Sequence, residues 1–214
     1  MILKILALSI QSEKMIEIKI FNRWSTKEIK VKDPGLEKYI SLQPVFVPKS
    51  RGRFSKQQFY RSKMNIVERL ITKLMVPGHR GKKHVLSSGR TVGKYSTNYK
   101  TVKKTFEKIE SLTKKNPVEV LIGAIENAAR REEIASYQVG SIIVRRAVIT
   151  SPQRRVDVVL KNIVQAAYRK SFGKKANIVD ALTNEIIAAY NNDRGKSDSI
   201  KEKERSEREA EGAR

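Results

Sequence analysis

The sequence predicts a mainly α-helical protein, a bundle of about six helices with a protruding β-hairpin and an extended basic N-terminal arm. Two patterns predict this class. Apolar residues recur at helical spacing in successive stretches of residues 59–189, whereas residues 134–150 are rich in β-branched residues around a Gly-Ser pair. The chain has 214 residues, 39% of them hydrophobic, which suits one domain core with appendages. We expect an N-terminal extension (1–54), a helical domain (55–192) and a charged tail (193–214).

The N-terminal extension combines a strand pattern with an extended segment. Ile16, Ile18 and Ile20 alternate with polar residues, which predicts a short half-buried strand, and Trp24 is expected to anchor it. Residues 33–53 contain three prolines and two glycines, so an extended segment crossing the surface should follow.

The first ten residues are mostly apolar, but they are too few to cross a bilayer and lack a charged leader and a cleavage site. The patterned sequence begins at about Met15, so we expect Met15 to be the physiological start. The absence of cysteine fits a reducing compartment, and we expect a cytoplasmic protein without membrane contact.

Helix signals follow in order along the chain. Ser55 and Gln58 form a capping-box pair, so the first bundle helix is expected to begin there, with Phe59 on its buried face and its end before Pro77. Val102, Phe106 and Ile109 mark the second helix.

Two later helices begin at the pairs Asn116–Pro117 and Ser151–Pro152, which are typical of an N-cap followed by a first helical residue. Gly173 should end the longer one, and a further helix is expected over residues 178–189. Residues 199–214 pair opposite charges four apart without an apolar stripe, so a helix there would be solvated or completed by a partner.

Charge is distributed very unevenly along this chain of formal net charge +23. Between residues 38 and 106 there are seventeen lysines and arginines and one acidic residue, Glu68, whereas residues 193–214 hold seven of each sign. A region with so little negative charge attracts polyanions, because binding also releases their condensed counterions. The sequence therefore predicts nucleic-acid binding.

The basic arm, residues 49–63, interleaves cations with Phe54, Phe59 and Tyr60. Arginine can bind phosphate oxygens with two donors while an aromatic ring stacks on an unpaired base, a combination that favours structured RNA. The predicted contacts are Lys49, Arg51, Arg53, Lys56, Arg61 and Lys63. Phe59 alone is expected in the core.

A long loop follows, from residue 77 to 97, with four glycines and a further set of cations. It is not a Walker loop, because Gly89 and Gly93 are too close together and Tyr95 stands where Ser or Thr would bind magnesium. Backbone contacts to RNA phosphates explain the same residues. The predicted RNA contacts here are Lys82, Lys83, Arg90 and Lys94.

The hairpin and its exit supply the last predicted contacts. Arg145 and Arg146 are adjacent in an extended strand, so at most one can be shielded by the body. Arg154 and Arg155 fall in the first turn of a helix, where cations oppose the helix dipole, a placement that a bound phosphate would explain. An ordinary exposed hairpin remains the alternative.

Enzyme signals are weak. His79 and His84 lie in a basic loop without a nearby carboxylate, so we expect no metal site, no cofactor and no catalytic role. Glu132 and Glu133 are expected to balance Arg130 and Arg131. A general, chromatin-like DNA-binding protein stays open as the alternative, and an RNA-processing enzyme would need side chains that this sequence lacks.

Several motifs together resemble the small-subunit ribosomal protein S seven family in its archaeal and eukaryotic form, over about residues 21–192. The motifs are Trp24–Thr26, Ile66–Leu70, Leu74–Val76 with Gly81–Lys83, Asn116–Pro117 before Val120–Leu121, and Val144–Val148 with Ser151–Val156. The chain departs from the bacterial pattern in a slightly longer loop after Val76 and in its acidic and basic tail.

The resemblance implies a helical domain with a β-ribbon that binds the 3′ major domain of small-subunit ribosomal RNA early in assembly of the subunit head. It also implies that the ribbon lies near the exit-site transfer RNA and the departing messenger, with ribosomal protein S eleven as a neighbour. Off the ribosome we expect a monomer.

Overall fold

The computed structural model describes residues 18–76 and 90–214. Within these ranges the chain forms seven α-helices and one two-stranded antiparallel sheet, which confirms the predicted mainly α class with a hairpin. The helices are α1 (Pro34–Glu37), α2 (Ile66–Leu74), α3 (Tyr95–Thr113), α4 (Pro117–Ala128), α5 (Pro152–Ser171), α6 (Ile178–Tyr190) and α7 (Asp198–Glu211). The strands are β1 (Glu132–Val139) and β2 (Ile142–Ile149). No helix in these ranges is both long and apolar enough to cross a membrane.

One hydrophobic core lies between helices α2 to α6. Leu70, Phe106, Leu121 and Leu160 are fully buried, and each contributes about 1.5–3 kcal/mol by leaving water. Helix α4 approaches α6 closely at Gly123, where an added Cβ would lie 2.7 Å from the Tyr190 ring. A side chain at this position would force the Tyr190 ring to move.

Helices α4 and α5 start at the residues that the sequence predicted. The Asn116 side chain accepts from the amide of Val118 at 3.1 Å, and Pro117 is the first residue of α4. Helix α5 begins at Pro152 after Ser151 and ends before Gly173, which has a φ of +67°. The predicted boundaries of these helices are confirmed.

The predicted start of the first bundle helix is wrong. Residues 53–55 and 60–63 form single 3₁₀ turns, and α2 begins at Ile66, where the side chain of Asn65 accepts from the amide of Val67 at 2.9 Å. Phe59 has a φ of 65°, a left-handed conformation that an α-helix does not tolerate. The capping-box pair at Ser55 therefore starts no α-helix.

The N-terminal segment forms a tight turn within the described residues. Ile20 and Trp24 form an isolated antiparallel bridge, so the predicted strand is wrong over residues 18–20, and Ile16 and Met15 lie outside the described residues. Trp24 is buried and its ring centroid lies 5.6 Å from that of Phe106, which confirms it as an anchor.

The extended segment is partly built into the body. Leu36 in α1 and Ile40 just after it are buried in the core, and the amide of Ile66 donates to the carbonyl of Ser41 at 3.1 Å. Residues 33–41 therefore pack against the helices, and the surface crossing that we expected is confined to the residues that follow.

The hairpin matches the prediction closely. Its register runs from Glu132 opposite Ile149 to Val139 opposite Ile142, and Gly140 takes a φ of +60° in the turn. Residues 136–143 are all exposed, so the outer half of the ribbon projects from the body.

The tail helix α7 is completed by this chain itself, packing against α5 and the base of β1. Ile200 and Ala210 are buried in that contact. Of the ion pairs expected four residues apart, Arg205 with Glu209 forms at 3.2 Å. Lys203 instead donates to the carbonyl of Asn127, because its side of α7 packs against the body.

Candidate nucleic-acid interface

The basic arm is fixed to the helical body at Ser50. The amide and the hydroxyl of Ser50 donate to Oε1 of Glu68 at 2.6 and 2.7 Å, and Glu68 is 5% exposed. Glu68 is the one acidic residue between positions 38 and 106. Its carboxylate accepts from Ser50, and within the described residues it forms no ion pair with a cation of the arm.

The six predicted contacts of the basic arm are all exposed: Lys49, Arg51, Arg53, Lys56, Arg61 and Lys63. Arg61 lies 3.9 Å from Asp157, and the other five form no ion pair in the part of the chain that the structure describes. The Lys63 ammonium lies 4.2 Å from the ring centroid of Tyr60. These cations are therefore available to an external polyanion.

One end of the basic arm meets the start of α3. The Lys49 ammonium lies 5.3 Å from the ring centroid of Tyr95, and the Tyr95 hydroxyl donates to the carbonyl of Pro48. Burial, with a contribution from Glu68, raises the pKa of Tyr95, so the phenol keeps its proton for this bond. Lys94, the neighbour of Tyr95, is exposed beside this contact.

Phe59 was expected in the core, and that expectation is wrong. Its side chain is 66% exposed, because the left-handed backbone at this residue turns it away from the helices. Phe54 and Tyr60 are half-buried. An exposed ring among exposed cations suits stacking with an unpaired base.

The other end of the basic arm meets the exit of the hairpin across an open cleft of about 600 Å³. Phe59 and Arg154 both line this cleft, so the structure brings two predicted clusters together. Four cations line the cleft: Lys73, Arg130, Arg154 and Lys161. Asp157 and Glu202 also line it, which leaves an excess of positive charge.

A buried ion cluster supports the cleft from beneath. Asp157 lies 3.3 Å from Arg69 and 3.8 Å from Lys73, and Arg69 also donates to the carbonyl of Tyr39 at 2.8 Å. Arg69 is 1% exposed, and burial lowers the pKa of both Arg69 and Lys73, although Asp157 acts against this effect. Sequence reasoning missed this cluster, although a cation among the apolar residues of α2 was a signal for it.

Arg154 and Arg155 have structural partners at the start of α5. Arg154 binds both carboxylate oxygens of Glu133, at 2.5 and 3.0 Å, and the hydrogen bond to Glu133 raises the pKa of Arg154. Arg155 donates to the carbonyl of Thr150 at 3.1 Å. The hairpin base therefore supplies acceptors for both cations, so their position at a helix start needs no bound phosphate to explain it.

Arg145 and Arg146 are both exposed on β2, opposite Ser136 and Ala135. The ribbon stands clear of the body at this point, so neither guanidinium is shielded.

An ion pair at the hairpin base was also predicted. Glu133 lies 3.7 Å from Arg130, which confirms that Glu133 balances the charge of Arg130.

The long loop is described only at its end. Arg90 and Lys94 are exposed, and the Asn98 amide donates to the carbonyls of Thr91 and Lys94 at 2.7 and 2.9 Å, which fixes the entry to α3. Several residues of the earlier predictions lie outside the described residues: Lys82, Lys83, His79 and His84.

A comparison with known protein families decides the identity of this fold. Residues 36–214 match the family model of Ribosomal protein S7p/S5e, which is most of the chain. The chain belongs to the S7p/S5e family. The resemblance found in the sequence motifs is thereby confirmed.

Archaeal members of the S7p/S5e family align along nearly the whole chain. Small ribosomal subunit protein uS7 of Nanoarchaeum equitans is 45% identical over 199 residues, covering 93% of this chain and 100% of the relative. The uS7 protein of Archaeoglobus fulgidus is 43% identical over 198 residues, covering 92% and 96%. That of Methanococcus aeolicus is 39% identical over 199 residues, covering 93% and 100%.

In this S7p/S5e member the tail also holds the hairpin. Arg214 binds both carboxylate oxygens of Glu132 at 2.7 Å, and Glu207 accepts from the amide of Arg131 at 2.9 Å. Glu132 and Glu133 were expected to balance Arg130 and Arg131, and for Glu132 that expectation is wrong. The correct partner is 82 residues away along the chain, a separation that sequence spacing does not reveal.

Proposed function

We propose that this protein is a structural RNA-binding component of the small ribosomal subunit. The observation that carries the proposal is the basic arm, whose exposed cations lack ion pairs among the described residues, apart from Arg61. Membership of the S7p/S5e family and the names of the archaeal relatives support it.

The proposed mechanism is electrostatic clamping by a rigid helical body. Lysines and arginines of the basic arm contact phosphates and set the position, while recognition comes mainly from RNA shape, because the deep groove of A-form RNA excludes side chains. Phe59 is placed to stack on an unpaired base beside the cleft. The proposed role is binding and not catalysis, which membership of a family of structural ribosomal proteins supports.

In finer detail, we propose that the RNA is the 3′ major domain of small-subunit ribosomal RNA and that binding nucleates the subunit head in the cytoplasm. Arg145 and Arg146 would then reach toward the exit-site transfer RNA and the messenger, with ribosomal protein S eleven nearby. The exposure of both arginines on the projecting ribbon supports this placement.

Competition binding tests the proposal. Purified protein is offered the 3′ major domain against equal masses of unrelated folded RNA and duplex DNA at physiological salt. We expect clear preference for the 3′ major domain, and a log-log plot of affinity against salt with a slope of about −4 or steeper, because several phosphates are neutralised. Equal binding to all three competitors would favour the general DNA-binding alternative.

A further inference from the structure

A second cavity lies between the end of α5, the start of α6 and the first turns of α3. Its volume is about 700 Å³, and three cations line it: Arg90, Lys174 and Lys175. Among the described residues that line it, none is acidic. This composition differs from that of the cleft at the hairpin base, where carboxylates accompany the cations.

Two helices begin at this cavity. Asn177 and Ile178, at the N-terminus of α6, line it, and so does Thr97 in the first turn of α3. The side chain of Asn177, the N-cap of α6, accepts no hydrogen bond from its helix, and that of Lys94, the N-cap of α3, has no acceptor atom to offer. Helix N-termini carry partial positive charge and offer free amides, so both helix starts favour an anion in the cavity.

The cavity wall also contains two hydroxyl groups without a hydrogen-bond partner among the described residues. They belong to Tyr168 and Thr91, which line the cavity and are 4% and 7% exposed. A buried hydroxyl without a partner costs about 1–3 kcal/mol. A ligand with several acceptor oxygens would supply the missing partners, and this observation is independent of the helix N-termini.

An aromatic surface adjoins the cations. Phe172 is 45% exposed and its ring is stacked on that of Tyr168, with centroids 5.7 Å apart and an interplanar angle of 22°. Tyr168 holds the Phe172 ring in place. A fixed exposed ring beside lysines is typical of sites where a nucleic-acid base stacks while its phosphate is neutralised.

We propose that this cavity binds one unpaired nucleotide of RNA, with its phosphate at Lys174, Lys175 and the helix starts, and its base on Phe172. The proposal rests on the proposed RNA-binding function and extends it. Helix α5 has 20 residues and is about 30 Å long, with Arg154 at its start and the cavity at its end. The protein therefore contacts two separate RNA segments, one at each end of α5.

Paired variants test this site in the full chain. Lys174→Ala with Lys175→Ala is compared with Lys27→Ala with Lys30→Ala, which removes the same charge from exposed lysines outside the cavity. We expect the cavity variant to bind the 3′ major domain at least about tenfold more weakly than wild type, since charge-assisted contacts are lost. The control should change affinity about twofold or less, as expected for screened surface charges.

Phe172→Leu provides a second test, because it keeps an apolar side chain and removes the ring. We expect about fivefold weaker binding, at the lower end of the loss measured for base stacking. Circular dichroism must show an unchanged fold for each variant.

The outcomes separate this inference from the proposed function. If wild-type protein shows no preference for the 3′ major domain, the proposed function fails. If wild type shows the preference but the cavity variant matches its control, the cavity is not an RNA site and the inference is overturned. The remaining outcome is that inorganic phosphate shifts the NMR signal of the Gly173 amide while the variants leave RNA affinity unchanged. That outcome would assign the cavity to a free anion and would also overturn the inference.

Discussion

The basic arm and the C-terminal tail, residues 193–214, are both densely charged, yet they use their cations in opposite ways. In the arm, five of the six cations form no ion pair within the described residues. In the tail, Arg194 pairs with Glu204 at 2.8 Å and Arg214 with Glu132 at 2.7 Å. Cations therefore form a binding surface only where no carboxylate lies close enough to pair with them.

The largest expected effect comes from the arm itself. Replacing Arg51, Arg53 and Lys56 together by alanine should weaken binding to the 3′ major domain by about a hundredfold or more, because each lost phosphate contact costs about 1 kcal/mol or more. The salt dependence should also become shallower, by about one unit of slope per lost contact. Filter binding across a salt series measures both quantities.

The matched control removes the same charge from the tail, at Arg194, Lys201 and Arg208. We expect less than about a threefold change in RNA affinity, since these cations lie outside the basic arm and screened surface charges contribute little. If the tail variant loses as much affinity as the arm variant, RNA binding depends on net charge alone and the distinction between the two regions is wrong.

A smaller effect should follow from Glu68→Leu, which removes the acceptor that holds Ser50. Electrostatics alone predicts tighter RNA binding after the loss of a negative charge. We expect the opposite, about tenfold weaker binding, because the arm loses charge-assisted hydrogen bonds that fix its position. Glu28→Leu, the same change at an exposed position, is the control, and a gain in affinity for both variants would refute the anchoring role.

The smallest effect concerns the paired cations at the hairpin base. Glu133→Gln should lower the free energy of unfolding by about 1 kcal/mol, a modest value because Arg154 is largely exposed. The same change should strengthen RNA binding about twofold to threefold, since Arg154 is released toward the cleft. Urea denaturation and RNA titration of one preparation measure both quantities. Weaker RNA binding would contradict the predicted release of Arg154.

Local sequence signals predicted much of the fold. The hairpin followed from β-branched residues around Gly140, and the helix starts at Asn116 and Ser151 followed from their caps. The start of α2 was missed because the left-handed backbone at Phe59 interrupts the helix predicted from Ser55, and Asn65 caps the helix instead. That conformation depends on packing, which a local pattern does not encode.

The sequence predicted which cations make up the candidate site, but not which cations already form ion pairs within the protein. Clustering of cations identified the basic arm, whose side chains are exposed as a binding surface requires. Whether a given cation is already occupied depends on contacts such as Glu133 with Arg154 and Glu132 with Arg214, 21 and 82 residues apart. Lys174 and Lys175 were missed because their cavity is assembled from three helices.

A small rotation at the base of the ribbon formed by β1 and β2 produces a larger displacement at its tip. Its eight-residue strands span about 27 Å, and a two-stranded ribbon has little stability of its own. A tilt of about 5° at its base would move the tip by about 2 Å over that length. The contacts of Glu132 with Arg214 and of Glu133 with Arg154 therefore fix the direction of the ribbon. They determine where Arg145 and Arg146 lie, although neither contact is near the tip.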